Sequence, residues 1–157
     1  MELKEKTPHT ILNEIIEAAK KCGQVMLQAD RENFGIKDKA GKANFVTKYD
    51  CKIQKMLEKK LSEILPEAEF LGEEEDCQIN RNAEYIFVVD PIDGTTNFIK
   101  DYHMSCVSIG LIATVYKGNI IKNLIMDCQS YTKYRPNETT GGIFVSWRRK
   151  EELPTGA

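Results

Sequence analysis

The sequence predicts an α+β domain in which two long helices pack on a mostly antiparallel sheet. Two segments, residues 10–29 and 47–65, repeat apolar residues at helical spacing. Short apolar runs follow them, and strands that succeed one another through short turns favour antiparallel pairing. With 157 residues, the chain is long enough for one domain with a substantial core.

The composition is that of an ordinary globular protein, with 41% hydrophobic and 29% charged residues. A formal net charge of −2 gives no electrostatic support for binding to nucleic acid or to a membrane surface. No apolar run reaches transmembrane length, and the first residues lack the core of a secretory signal. The five cysteines are scattered without a CxxC or Cys/His cluster, which favours reduced thiols over disulfides or zinc. We therefore expect a cytoplasmic protein with no nucleic-acid and no membrane partner.

Both predicted helices carry one apolar stripe. The stripe of the first helix consists of Ile11, Leu12, Ile15, Ile16, Ala19, Cys22, Val25 and Met26. The stripe of the second helix consists of Ile53, Met56, Leu57, Leu61, Ile64 and Leu65. The second helix should begin at Thr47, because Thr47–Asp50 matches a capping box with Asp in place of the usual Glu or Gln. From the residues alone, we interpret Asp50 as a group that satisfies this helix N-terminus.

The strands are predicted from short apolar runs bounded by turn residues. They cover residues 69–71, 85–89, 106–113, 120–126 and, more weakly, 131–135. Tyr116–Asn119 should form a hairpin turn, because glycine and asparagine tolerate the dihedrals that such turns require. Residues 135–142 are typical of a loop, and residues 143–147 form only a short apolar run.

The strand at residues 85–89 leads directly into a dense group of polar side chains. Asp90 and Asp93 can face one point if the strand breaks between them. Pro91 favours such a break because it has no N–H for the ladder. Carboxylate and carbonyl oxygens are the ligands that Mg²⁺ prefers. The spacing therefore suggests a metal site at the end of this strand.

The residues that follow the two aspartates suit a phosphate group. Gly94 lets backbone N–H groups approach an anion closely. Thr95 or Thr96 can cap a following helix, whose N-terminus would favour phosphate. Metal ligands next to phosphate donors indicate metal-assisted phosphoryl chemistry. A simple β-turn with a helix cap also accounts for a D-x-x-D-G-T pattern, and that alternative stays open.

The longer string Asp90–Phe98 resembles the signature of the inositol monophosphatase family, which are Mg²⁺-dependent, lithium-sensitive phosphomonoesterases. Two upstream segments support the resemblance: Phe70–Glu74 is similar to the family's G-E-E segment, and Asn44–Asp50 is similar to its V-T-x-x-D segment. The resemblance runs from about Ile11 to about Asp127. It implies the N-terminal half of the layered αβαβα sugar-phosphatase fold.

The resemblance also implies roles for individual residues. The implied metal ligands are Glu73, Asp90, the carbonyl of Ile92, and Asp93. Thr95 would activate the attacking water, Asp50 would hydrogen-bond that threonine, and Glu73 would complete the catalytic set. Gly94, Thr95 and Asp93 would bind the substrate, with the backbone N–H groups of Gly94 and Thr95 holding phosphate oxygens.

The implied reaction is hydrolysis of inositol monophosphate or a similar small phosphorylated polyol, with Mg²⁺ as the cofactor. Two alternatives are a 3′(2′),5′-bisphosphate nucleotidase or fructose-bisphosphatase-like member of the superfamily, and a non-catalytic metal-binding remnant. Family members are considerably longer, and their C-terminal half supplies a W-D aspartate, whereas Trp147 is followed here by Arg148. We therefore expect a metal-binding domain at residues 1–135, an irregular or divergent tail at 136–157 and no C-terminal domain. Weak activity and a possible homodimer formed through the uncovered sheet are further expectations.

The polar stretch at residues 31–44 contains Lys37, Lys39 and Lys42. It suits either a solvated loop or a lysine-bearing lid over an anionic site. The resemblance favours the lid, since the family carries a loop here that contributes to metal binding.

Overall fold

A computed structural model describes residues 6–38, 45–74, 83–116, 119–135 and 138–147, with side chains described as far as residue 112. Three helices and seven strands occur in these ranges. In chain order they are α1 (Pro8–Leu27), β1 (Lys37–Asp38), β2 (Phe45–Val46), α2 (Lys48–Ile64), β3 (Ala68–Gly72), β4 (Tyr85–Asp93), α3 (Thr95–Ile99), β5 (Cys106–Tyr116), β6 (Asn119–Arg135) and β7 (Glu138–Trp147).

The two long helices form where the apolar periodicity predicts them. Thr7 caps α1, since its hydroxyl accepts a hydrogen bond from the Thr10 N–H. Thr47 caps α2, and the complete capping box with Asp50 is present, so this part of the prediction is confirmed. Both helices end one or two residues earlier than expected, within the usual variation of helix ends.

Five strands form the main sheet, in the order β3-β4-β5-β6-β7. Only β3 and β4 run parallel, and every other neighbouring pair of described strands in this sheet is antiparallel. The α+β prediction with a mostly antiparallel sheet is confirmed. β5 ends at Tyr116, which pairs with Asn119 at the start of β6. This pairing fits the predicted hairpin, although residues 117–118 themselves lie outside the described residues.

The C-terminal part of the sheet differs from the prediction in two ways. The separate strands expected at 120–126 and 131–135 form one long strand, β6. The loop expected at residues 135–142 is wrong, because β7 begins at Glu138 and pairs with β6 along its whole length.

The glycines of β7 explain the error over the loop. Gly141 pairs with Thr132, and Gly142 pairs with Tyr131. Glycine weakens a strand but, unlike proline, keeps its N–H for the ladder, so a well-placed partner strand can hold it. Residues 148–157 lie outside the described residues, and the division at residue 135 stays a prediction.

The two long helices cover one face of the main sheet. α2 packs on β3 and β4, and α1 packs on β5 and β6. The strand side chains in this core include Phe87 and Val89 of β4 and Val107, Ile109 and Leu111 of β5. Because side chains alternate along a strand, Val88 points to the opposite face, where it is 37% exposed. Asp90 follows Val88 by two residues, so its side chain lies on the same face, which the helices leave uncovered.

Part of the predicted lid, residues 37–38, forms a short strand. Lys37 pairs with Val46, and Asp38 pairs with Phe45, in a separate two-stranded antiparallel sheet. Lys39 and Lys42 lie outside the described residues, so the lid stays a prediction. Within the described residues, no helix is long and apolar enough to cross a membrane.

Candidate active site

The parallel pairing of β3 and β4 brings Glu73 beside Asp90. Gly72 is the partner of Val89, so the next residue on each strand is one of these two acids. The Glu73 N–H donates to the Val89 carbonyl at 3.0 Å, which extends the ladder by one step. Side-chain alternation then places both carboxylates on the face of the sheet that the helices leave uncovered.

A β-bulge brings Asp93 to the same face. Asp90 lies opposite Ser108, and Asp93 lies opposite Cys106, so three steps along β4 match two steps along β5. In a regular strand, residues three apart point to opposite faces, whereas one extra residue restores the same side. The predicted break at Pro91 therefore takes the form of a bulge, and the side chain of Ile92 is buried beneath it.

Glu73 and Asp93 oppose the ionisation of Asp90. The pKa of Asp90 is raised from 3.8 to about 7 by burial, by the charge of Glu73 and a hydrogen bond with it, and by the charge of Asp93. The Ile92 N–H donates to Asp90 Oδ1 at 3.1 Å, which lowers the pKa by less than these effects raise it. A cation among the three side chains would relieve their repulsion.

The donor set suits a hard divalent cation, because its side-chain atoms are carboxylate oxygens. Yet no three Asp, Glu, His or Cys side chains in the described part of the chain are gathered closely enough to enclose an ion. The acids are therefore neighbours across two strands rather than a finished coordination shell. Cys106 borders this group, with its thiol 3.8 Å from Asp93 Oδ2.

Thr95 joins the acidic face to α2. Its hydroxyl oxygen lies 3.1 Å from Asp50 Oδ1 and 3.0 Å from the Ile92 carbonyl. The other oxygen of Asp50 accepts bonds from the Thr47 N–H at 2.7 Å and the Thr47 hydroxyl at 2.5 Å. Asp50 is fully buried. Helix capping and contact with Thr95 therefore use different oxygens of one carboxylate, so the two interpretations are compatible.

Gly94 forms the corner between β4 and α3. Its φ of +83° lies in the left-handed region, and a Cβ there would lie 2.9 Å from the Met104 carbonyl. Gly94 itself is the N-cap of α3, so the predicted capping by Thr95 or Thr96 is wrong. The reason is that the Thr95 hydroxyl turns towards Asp50 instead. Since α3 has only five residues, its dipole offers little help to an anion.

Gln54 belongs to this site, although the sequence analysis did not select it. It is only 2% exposed, and its Oε1 accepts the Glu74 N–H at 3.0 Å. The sequence feature that could have identified Gln54 is its position within the apolar stripe of α2, four residues after Asp50.

Arg31 is a second residue that the sequence analysis missed. Its guanidinium donates to the Phe98 carbonyl at 2.9 Å and pairs with Asp101 at 2.9 Å. It also lies over the rings of Phe34 and Phe98. Arg31 thus ties the base of the predicted lid to the end of α3.

Comparison with known proteins identifies the group to which this arrangement belongs. A family model described as the inositol monophosphatase family matches residues 7–139. The chain belongs to that family. The members it resembles are inositol monophosphatases, which are phosphoric monoester hydrolases.

Curated relatives cover most of the chain. It is 30% identical over 145 residues to an inositol monophosphatase of Mesembryanthemum crystallinum, an alignment that covers 88% of this chain and 52% of the relative. It is 36% identical over 110 residues to inositol monophosphatase 2 of Solanum lycopersicum, covering 68% of this chain and 40% of the relative. The chain therefore spans about half the length of these proteins, or less.

Solved structures show the same fold. The extragenic suppressor protein SuhB of Bartonella henselae superposes with a TM-score of 0.66 at 26% identity, covering 88% of this chain and 53% of that one. Staphylococcal IMPase-I complexed with products has a TM-score of 0.65 at 23% identity, covering 89% and 51%. The family is metal-dependent, and its solved members include a Ca-bound protein from Staphylococcus aureus and a LiCl-soaked inhibitory complex.

Proposed function

We propose that the chain carries part of the active site of a Mg²⁺-dependent phosphomonoesterase that acts on inositol monophosphate or a similar small sugar phosphate. The observation that supports this most directly is the bulge at Pro91. It turns Asp90 and Asp93 to one face beside Glu73. Thr95, whose hydroxyl contacts the buried Asp50, follows Asp93 by two residues.

The proposed metal ligands are Glu73, Asp90, the Ile92 carbonyl and Asp93. All of them offer oxygen, and Mg²⁺ keeps water in its remaining positions, so a partial set of protein ligands is chemically adequate. When bound, Mg²⁺ would neutralise phosphate charge, lower the pKa of the attacking water and stabilise the leaving alkoxide. Neutralisation by the ion would also offset the repulsion between Asp90 and its acidic neighbours.

The hydroxyl of Thr95 has one proton and two acceptors within reach, Asp50 Oδ1 and the Ile92 carbonyl. Whichever acceptor it uses, its lone pairs face away from that bond and can accept a hydrogen bond from water. We assign Thr95 the role of positioning the attacking water, with Asp50 fixing the hydroxyl. Such positioning lowers the entropic cost of the reaction.

The corner at Gly94 supports a phosphate-binding role. The left-handed conformation of Gly94 makes a tight corner in which a side chain would meet the Met104 carbonyl. The first N–H groups of a helix have no acceptor within that helix, so those of Gly94 and Thr95 are the candidate donors to an anion. We propose that these two N–H groups hold phosphate oxygens and that Asp93 contacts the substrate from the acidic face.

Metal binding without turnover is the second candidate. It is favoured by one observation: the chain spans 40 to 52% of the two curated relatives described above. Residues beyond this length would have to supply the rest of the site and most contacts to the sugar. Under this alternative, the chain binds Mg²⁺ but hydrolyses little.

The test measures Mg²⁺ binding by calorimetry and phosphate release from inositol 1-phosphate, adenosine 3′,5′-bisphosphate and fructose 1,6-bisphosphate. The wild-type chain is compared with Asp90→Asn and with Glu58→Gln, which makes the same charge change at an exposed position of α2. We expect Mg²⁺ binding in the wild type and in Glu58→Gln, and weaker binding in Asp90→Asn. Equal binding by all three proteins would contradict the metal assignment. Binding without phosphate release from any of the substrates would favour the second candidate.

A further inference from the structure

Two buried polar side chains lie one helical turn apart on α2. Asp50 is completely buried, and Gln54 is 2% exposed. Residues four apart lie on the same face of a helix, here the face that packs on the sheet. Asp50 reaches Thr95, whereas Gln54 reaches the turn after β3. One helix therefore contacts both parts of the site, the threonine and the chain around Glu73.

The amide of Gln54 packs directly against the end of β3. A Cβ at Gly72 would lie 2.5 Å from Gln54 Cδ and closer still to its Oε1, so a side chain there would displace the amide. The amide of Gln54 therefore occupies the volume that a side chain at position 72 would fill. This close approach allows Oε1 to reach the Glu74 N–H at 3.0 Å.

The backbone of Glu73 is consequently held on both sides. Its own N–H donates to the Val89 carbonyl at 3.0 Å, and the next N–H donates to Gln54. An apolar residue at position 54 would serve the core equally well, and burying an amide is costly unless it makes hydrogen bonds. Gln54 accepts a hydrogen bond from the N–H of the residue next to the proposed metal ligand.

We infer that Gln54 is a positioning residue, which fixes Glu73 by holding the 73–74 turn against α2. Its effect on metal affinity rests on the proposed function, whereas its effect on the turn does not. Residues that orient metal ligands typically change metal affinity by about 10- to 100-fold when they are replaced.

The test uses three variants and one control in the full 157-residue chain. Gln54→Met fills a similar volume with only a weakly accepting sulfur, Gln54→Glu keeps an acceptor oxygen, and Gly72→Ala displaces the amide. The control, Ile53→Val, trims a fully buried side chain in the same turn of α2. Two quantities are measured: hydrogen exchange of the Glu74 amide in metal-free protein, and Mg²⁺ affinity by calorimetry.

We expect Gln54→Met and Gly72→Ala to accelerate exchange at Glu74 by about tenfold beyond any change in the control. Both variants should weaken Mg²⁺ binding on the order of tenfold, and the double variant should be no worse than either single one. Gln54→Glu should retain the protection of the Glu74 amide.

Two outcomes separate this inference from the proposed function. Unchanged exchange at Glu74 in Gln54→Met, or Mg²⁺ affinity equal to that of the control, would overturn the positioning role. Absence of Mg²⁺ binding by the wild-type chain would overturn the proposed function, and exchange at Glu74 alone would then decide whether Gln54 holds the turn.

Discussion

Asp50 and Asp90 are both acids of the candidate site, but the groups that surround them differ. The carboxylate of Asp50 accepts bonds from the Thr47 N–H, the Thr47 hydroxyl and the Thr95 hydroxyl. Asp90 accepts the Ile92 N–H, but it faces Glu73 and Asp93, and its pKa is raised to about 7. One acid is surrounded by donors, and the other is surrounded mainly by acids.

We infer from this difference that Asp50 supports the fold, whereas Asp90 is suited to binding a cation. Hydrogen bonds to a buried carboxylate stabilise the chain without help from any other molecule. Like charges gathered on one face destabilise the chain, and a bound cation would relieve that repulsion. The region around Asp50 should therefore respond to mutation through stability, and the region around Asp90 through metal binding.

The largest expected effect is on stability, from Asp50→Ala. The substitution leaves the Thr47 N–H and hydroxyl without their acceptor, takes one of two acceptors from the Thr95 hydroxyl, and removes the capping box. We expect the free energy of unfolding to fall by about 3 kcal/mol, measured by urea denaturation of the metal-free chain. Glu58→Ala, at an exposed position of the same helix, is the matched control. A loss of less than about 1 kcal/mol would mean that the network around Asp50 is not a structural support.

A smaller effect of opposite sign is expected from Asp90→Asn. Well below its ordinary pKa of 3.8, Asp90 is protonated in both the folded and unfolded chain, so variant and wild type should be equally stable. As the pH rises from about 4 to 7, the unfolded chain releases this proton first, and the stability that Asp90 contributes is lost. Above pH 7, the variant should be the more stable metal-free protein by about 1 kcal/mol, a modest value because solvent screens a partly exposed group.

Urea denaturation of both proteins from pH 4 to pH 8 measures this difference in the free energy of unfolding. Glu58→Gln serves as the control for a change of one unit in net charge. A difference that stays constant across the pH range, or a variant that is less stable at pH 8, would contradict the repulsion among the three acids.

The smallest stability effect is expected from Thr95→Val. It removes one donor from Asp50 while Thr47 supplies the other two, so we expect a loss of about 0.5 to 1 kcal/mol by the same denaturation. Thr95→Ser, which keeps the hydroxyl, should be close to wild type. If Thr95→Val were as damaging as Asp50→Ala, Thr95 would be part of the structural support and not mainly a residue that positions water.

The sequence predicts what local patterns determine. Apolar spacing locates α1 and α2, and the Thr47–Asp50 pattern locates the start of α2. Pro91 indicates a break in β4. The strand β7 was missed because its two glycines weaken the local signal, while its stability comes from pairing with β6.

Contacts between distant parts of the chain were beyond local patterns. Asp50 and Thr95 are 45 positions apart, and the residues alone gave only the capping role; the family resemblance supplied the link. Asp90 and Asp93 point to the same face because of a bulge, and that bulge is defined by the pairing of both residues with β5. Gln54 appeared as one polar residue in an apolar stripe, and its role depends on Gly72 and on the turn after β3.

The most direct measurement is the thermal midpoint of the 157-residue chain as a function of Mg²⁺ concentration, in wild type and in Asp90→Asn. A ligand that binds only the folded chain raises the midpoint as its concentration exceeds the dissociation constant. We predict that metal-free Asp90→Asn starts above the wild type at pH 8 and hardly responds, while the wild type rises with Mg²⁺ and overtakes it. Parallel rises in both proteins, or no response in the wild type, would contradict the assignment of the acidic face as a cation site.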